Sequence, residues 1–489
     1  MTSSILSMSS MSNQAVEPEI VTSSMPKPEG MLAGFPWVSA IILYTLSWGW
    51  SLLRPNTLYW DDWEIYFNKP ANYGLQTLSD MGQAPWRGFV EFYSMQVGTW
   101  TITILTFFLF FAGSLFIFVI LSQKTSLVGS QIQKVTILFL IVPLNHARVA
   151  ATVFDYTSSY FLFLLGWLVL VRYQSFKSFI FSWFVLFLSL KTHSLLFFML
   201  LPFLHFVWLN KDDLKNSKKL CVVHLQIFLI ALLPIIYFLL RKLFWPPAEN
   251  WTDYHQVTSA GLQVALLPIV IGFMPLVVIA MRKAKNLSVN FGLTLLVVGF
   301  LVTALALFPY FAGDLYVGYA GRPAYLTVFE FRADWRSRHQ ILMPLGLALS
   351  VVGLNELFNW RKKNIVFVAT IALSVTLNMF WGSQYFLMSH KQEQLVELFK
   401  TTEGKVEIAS VEDQTLRFNG RESTFRGYEW NGFMTLAGIS TDRPGCEALP
   451  SGSALTLKSD TPYLKALVTR DLGLYFDVTP CSEVLAKDG

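Results

Sequence analysis

The sequence predicts an α-helical polytopic membrane protein, with about eleven transmembrane helices followed by a small extracytoplasmic α/β domain. Three observations lead there. Of 489 residues, 53% are hydrophobic and only 14% charged, whereas soluble globular chains carry roughly 25% charged residues. The apolar residues are gathered into runs long enough to cross a bilayer, and the mean hydropathy is +0.46. Beyond residue 387 the composition turns polar and mixed, with alternating stretches that read as strands. Despite a net charge of +5, no basic run resembles a nucleic-acid patch, so no nucleic-acid partner is expected.

Residues 1–30 are rich in Ser, Met, Pro and Glu and lack hydrophobic periodicity, which predicts a disordered cytoplasmic tail. They lack the basic start, short apolar core and small-residue cleavage site of a signal peptide. Residues 31–387 form the membrane module. Its apolar segments lie near 32–53, 100–122, 127–145, 156–172, 178–190, 194–209, 220–241, 259–281, 287–309, 339–358 and 364–387. The pair at 178–209 reads as one bent span or two short ones. Such spans are helices, because each unpaired backbone group in hydrocarbon costs several kcal/mol.

Short loops set the orientation. With the N-terminus inside, the cytoplasmic loops carry Lys124, then Arg172 and Lys177, then Lys211, Lys215, Lys218 and Lys219. Arg282, Lys283 and Lys285 follow, then Arg361, Lys362 and Lys363, as the positive-inside rule requires. The outer side then holds a long first loop, 54–99, and the loops 146–155, 191–193, 242–258 and 310–338. Residues 388–489 lie there too. "KQEQLVELFK" at 391–400 has helical spacing, while "KVEIASVE", "SALTLKSD" and "KALVTRDLGLYFDV" read as strands. Cys446 and Cys481 fall in this domain, and an oxidising compartment favours their disulfide over two free thiols.

The candidate chemistry concentrates in the outer loops. "TLYWDDWEIY" at 57–66 sets Asp61, Asp62 and Glu64 among four aromatic residues. Aromatic surroundings and a like-charged neighbour raise carboxylate proton affinity. One acid is thereby tuned toward a general base, while its twin stays ionised to hold a hydroxyl or a divalent cation such as Mg or Mn. The competing account is a solvated acidic rim with Trp60 and Trp63 as interfacial anchors. Arg87 lies further along the same loop, near Glu91.

"NHARVAATVFDY" contributes His146, Arg148 and Asp155, which either contact substrate or pair among themselves. "SLKTHSLLFF" sets Lys191 and His193 in a tight turn, where Lys191 either binds phosphate or snorkels to headgroups. "AGRPAYLTVFEFRADWRSRHQILMPLG" at 320–346 packs Arg322, Arg332, Arg336, Arg338 and His339 ahead of a span. This cluster breaches the positive-inside pattern, and guanidinium forks there suit phosphate oxygens. Pairing with Glu330 and Asp334 is the alternative. A phosphate held at a membrane belongs to a lipid. P-loop, dinucleotide-binding, nucleophile-elbow and HExxH motifs are absent from the sequence.

With "YWDDWE" in the first outer loop and "RADWRSRHQ" in the last, the chain resembles the GT-C class of integral membrane glycosyltransferases. It is similar to the bacterial envelope-polysaccharide members. The resemblance spans the chain in topology and rests on those short motifs. It implies a polyprenyl-phosphate-linked sugar donor, a glycan or lipid-linked acceptor, surrounding membrane lipids and catalysis at the outer face. The expected home is the bacterial inner (plasma) membrane. In that reading Asp61 or Asp62 is the catalytic base and the loop cations hold the donor phosphate. Two alternatives are a polysaccharide polymerase or ligase, which relies on outer-loop Arg and His, and a lipid-linked saccharide transporter or flippase. The sugar and the acceptor are left open.

Overall fold

The structure is a computed structural model. It describes residues 32–63, 73–84, 86–123, 125, 127–173, 175–191, 195–211, 213, 220–248, 287–312, 335–358, 364–401, 406–408, 427–439, 453–457, 465, 476–480 and 482–483. From Gly34 onward the chain forms one compact unit. Glu64, His193, Arg322, Arg332, Cys446 and Cys481, and the span expected near 259–281, lie outside the described residues, as does the side chain of Arg336.

The described chain is predominantly helical. Four helical stretches are long and apolar enough to cross a membrane: Thr99–Leu121, Ala151–Arg172, Val222–Phe244 and Ile365–Thr401. Five shorter apolar ones accompany them. In chain order the helices are α1 (Trp37–Trp48), α2 (Tyr73–Asp80), α3 (Phe89–Val97), α4 (Thr99–Leu121), α5 (Gly129–Ile141) and α6 (Phe154–Arg172). Then come α7 (Phe176–Ser189), α8 (Leu200–Leu209), α9 (Leu220–Phe244), α10 (Leu287–Ala312), α11 (Met343–Phe358), α12 (Ile365–Thr401) and α13 (Gly427–Ala437). At 1.5 Å per residue, α4 rises about 34 Å, enough to cross a hydrocarbon core of about 30 Å.

Burial sorts these helices. The apolar window at α6 is 72% buried, against 44% for α4, 28% for the α9 window and 22% for α12. The first is therefore the central post. Its Tyr160 stacks on Phe110 of α4 and Phe139 of α5, at ring separations of 4.8 and 6.1 Å. Helices α10 and α11 touch backbone to backbone, as small residues allow in lipid. A Cβ on Gly299 would come 2.7 Å from the Gly346 carbonyl, and one on Gly346 would come 2.8 Å from that of Gly299. A larger residue at either position would force the two helices apart.

Helix α12 runs 37 residues, about 55 Å, and so outreaches any bilayer core. The domain boundary expected at 387/388 falls within it, in a continuous helix. Beyond it, β1 (Val406–Ile408) pairs parallel to β2 (Ser453–Leu457), which pairs antiparallel to β3 (Phe476–Pro480). β1 and β2 fall within stretches read as strands in the sequence, β3 covers only the last three residues of the third such stretch and runs two past it, and α13 was not expected. Phe433 of α13 meets Trp63 edge-on at 4.6 Å, and Gly432 lies so close to the indole that any side chain there would collide with it. Leu395 and Phe399 of α12 join the same apolar cluster as Leu58, Tyr59, Ala147 and Val153. The polar-rich C-terminal elements thus pack directly on the acidic first loop.

Candidate functional site

Asp62 is fully buried, and its carboxylate is occupied by backbone. Oδ2 accepts the N–H of Tyr59 and of Ala151, each at 3.0 Å, and Oδ1 accepts that of Thr152 at 2.8 Å. Hydrogen bonds to a charged group contribute about 1.5–3 kcal/mol each, so Asp62 is a clasp between the segments 59–62 and 151–152. Trp60, two residues before it, has φ 52°, a left-handed conformation rare for a bulky side chain. Tyr59 and Asp62 hold that turn closed in both directions, since Asp62 N–H donates to the Tyr59 carbonyl at 3.1 Å. Burial pushes the Asp62 carboxyl up to about 6, opposed by the three backbone donors. Asp61 is half-buried.

Helix α12 braces the same loop from the other side. Thr57 donates to the Ser389 hydroxyl at 2.7 Å, Gln392 donates to the Leu58 carbonyl at 2.8 Å, and Arg54 pairs with Glu393.

The second loop also grips the last one. Asn145, in the left-handed conformation that Asn tolerates, donates its backbone N–H to Gln340 Oε1 at 2.9 Å. Ala147 N–H donates to the Ser337 hydroxyl at 2.8 Å. Ser337, Arg338 and His339 belong to one 3₁₀ turn, Trp335–His339. Arg338 is buried, and the His339 ring meets Tyr156 edge-on at 5.4 Å. Burial, reinforced by the Arg338 and Arg87 cations, pushes the His339 imidazole well below its ordinary value.

A buried charge cluster adjoins this junction. Arg87 forms an ion pair with Asp155 in the first turn of α6, and its guanidinium lies 5.5 Å from the Tyr156 ring centre. The Arg87 turn is tied down by Trp86, whose indole donates to the Leu188 carbonyl at 3.3 Å. Gly88 follows with φ 78°, the left-handed turn that starts α3. Lys191 donates to the Ser158 hydroxyl at 2.7 Å. Burial lowers its ammonium to about 8, with Asp155 and Glu91 opposing and Arg87 adding to the fall. Glu91 of α3 is also buried. Desolvation, then the Asp155 and Asp62 charges, hold its carboxyl well above its ordinary value, against the pull of Arg87 and Lys191.

The structure therefore brings Asp62, Arg87, Asp155, Lys191 and His339, with the turn that carries Arg338, onto one hub, the segment 145–158. His146 and Arg148 sit on that segment but face elsewhere. The His146 ring lies 5.0 Å from Trp48 and 6.1 Å from Trp381, and burial pushes its imidazole down to about 3. Arg148 lies over Trp48 and Phe110, with its guanidinium carbon 3.3 and 4.1 Å from the ring centres. Pairing between Arg148 and Asp155 does not occur, because Asp155 is taken by Arg87.

A divalent cation does not fit at Asp62. Both of its oxygens already accept backbone donors, and among the described residues no three candidate ligands cluster. Tyr156 is a site neighbour that the sequence reading did not select, and Glu91 is one that it named without a role. The available signal was an acid inside the apolar run "FVEFY" and an aromatic following Asp155.

Comparison with protein-family models, curated proteins and solved structures finds no match for this chain. The functional reading therefore rests on the site itself.

Proposed function

We propose that the chain is a GT-C-type glycosyltransferase of a bacterial inner membrane. In this reading it moves a sugar from a polyprenyl-phosphate donor to a glycan or lipid-linked acceptor at the outer face. The N-terminus lies in the cytoplasm and the C-terminal elements lie outside. One observation carries the reading: hydrogen bonds from segment 145–152 reach both Asp62 and the Ser337–Gln340 turn, so acidic and cationic loops share one layer. A site that must hold a phosphate and deprotonate a hydroxyl needs that juxtaposition.

The two aspartates then divide the work. Asp62 positions the loop, and Asp61, which is not fully buried, is the base. Asp61 takes the acceptor proton while the acceptor oxygen bonds to the anomeric carbon with inversion. The bond from that carbon to the phosphate oxygen breaks, leaving its electron pair on the polyprenyl phosphate. Arg338, with Arg336 and Lys191, stabilises the departing phosphate, where exclusion of water strengthens each charge. The test is purified full-length protein with defined polyprenyl-phosphate sugars and candidate acceptors. Glycosylated acceptor and free polyprenyl phosphate in equal amounts support the reading. Movement of intact lipid-linked sugar across the bilayer without bond cleavage supports a flippase instead.

A pH dependence follows from Lys191. Its proton is lost as pH rises through about 8, removing a positive charge from the phosphate site. Donor affinity therefore falls between about pH 7 and 9. In Lys191→Arg, whose charge persists, the fall is absent. Donor KM measured across that range checks this, and equal profiles for the two proteins would remove Lys191 from the site.

A further inference from the structure

A second polar junction lies toward the other end of α6, about 18 Å along the helix from Asp155 at 1.5 Å per residue. It is built around the half-buried His205 of α8. The Trp167 indole of α6 donates to His205 Nδ1 at 3.2 Å, and the two rings meet edge-on with centres 6.1 Å apart. His205 Nε2 lies 3.2 Å from the Gln123 carbonyl, just past the end of α4. Gln123 is held in turn. Its amide donates to the Val119 carbonyl at 3.3 Å, and its Oε1 accepts Arg172 of α6 at 3.5 Å.

These two partners fix the protonation state of the ring. An indole N–H can only donate and a peptide carbonyl can only accept. Nδ1 must therefore offer its lone pair while Nε2 carries the hydrogen, so both bonds form only with the neutral imidazole in that one tautomer. A second proton has a single place to go, Nδ1, where it would point at the indole N–H and break that bond.

No counter-ion holds such a proton in place. At this end of the helices around the ring, the described charged or titratable groups are Arg172 of α6, Lys177 of α7 and His224 of α9, with Lys211 and Asp213 just past α8. Asp155 of α6 and Arg241 and Lys242 of α9 stand at the far ends, and α4 carries no charged residue. Lys211 lies over the Trp208 ring instead, at 4.3 Å. Among the described residues the imidazole bonds only to Trp167 and Gln123.

We propose that His205 is an acid-sensitive latch: neutral, it fastens α8 to α6 and to the end of α4, and protonated it releases Trp167 and loosens α8. Opening is favoured as pH falls below about 6.5, the ordinary imidazole value, because the released ring takes up a proton that the fastened one cannot accept without losing its bond. With the orientation proposed above, the signal is acidification of the cytoplasm. The latch itself does not depend on the sugar-transfer reading.

The test is amide hydrogen exchange of the full-length protein in detergent, read by mass spectrometry on peptides covering α8 at about pH 7.5 and about pH 5 and corrected with an unfolded reference. Protection of α8 in the unmodified protein falls roughly three- to tenfold on acidification. In His205→Gln, whose side chain keeps an acceptor for Trp167 and a donor for Gln123 but does not titrate, protection is the same at both values. Trp167→Phe removes the donor, so protection is already low at neutral pH and changes little in acid. That second variant keeps the test valid should His205→Gln fold poorly. Protection that does not change with pH in the unmodified protein, or an undiminished pH response in either variant, would overturn the proposal.

Discussion

Asp61→Asn lowers sugar transfer by about two to four orders of magnitude, the range for losing a general base, and leaves thermal stability unchanged. Asp62→Asn also abolishes transfer, but by a different route: the purified protein denatures several degrees earlier. An amide at position 62 loses the charge that strengthens three backbone hydrogen bonds and turns N–H donors toward N–H donors. The expected loss is about 2–4 kcal/mol. The pH dependence of stability separates the two residues further. The Asp62 carboxyl is raised from 3.8 to about 6 in the folded chain, so between those values the native state binds more protons than the unfolded one. Its contribution is fully present below about pH 4 and is lost as pH rises through about 6. Thermal scans from pH 4 to 7 on Asp62→Asn therefore lack that descending component, whereas Asp61→Asn retains it. Full transfer activity in Asp61→Asn would remove it as the base, and unchanged stability in Asp62→Asn would remove the clasp.

The second large effect is at Arg87 and Asp155. Either partner alone, as Arg87→Met or Asp155→Leu, destabilises the protein by about 3–5 kcal/mol, because the survivor is left as an uncompensated buried charge. After Arg87→Met that charge is Asp155, with Glu91 close enough to add repulsion. The double variant recovers most of the loss, since replacing both members of a buried pair by apolar groups is often neutral. Thermal or denaturant unfolding of the four proteins closes the cycle. Additive losses would show that the two residues are not paired. Transfer stays low in the double variant if Arg87 also orients Tyr156 and His339 toward the donor. Transfer restored together with stability would make the pair purely structural.

Much of this was legible in the chain. The acidic "YWDDWE" and cationic "RADWRSRHQ" stretches stand out because charges are scarce in an apolar sequence, and each such charge needs a reason. The strand near 406 was visible from its alternation, that near 453 fell in a stretch read as a strand, and the end of α12 was visible from its helical spacing. Residue spacing did not distinguish Asp61 from Asp62. They are chemically identical neighbours, and only the backbone of residues 151–152, about ninety positions away, selects one as clasp. Arg148 and Asp155 illustrate the same limit. They share a loop and suggest a pair, yet the turn of α6 sends Asp155 to Arg87, and Arg148 rests on Trp48.

By itself, the sequence determined the helical class of the chain, because hydrophobic run length is a local property that lipid reads directly. It also determined which loops hold the charges. Only tertiary structure decided which charges meet, since hydrogen bonds and desolvation depend on neighbours distant in the chain. The junction at 145–158, the division between the two aspartates and the seat of Arg148 on Trp48 and Phe110 all belong to that second kind.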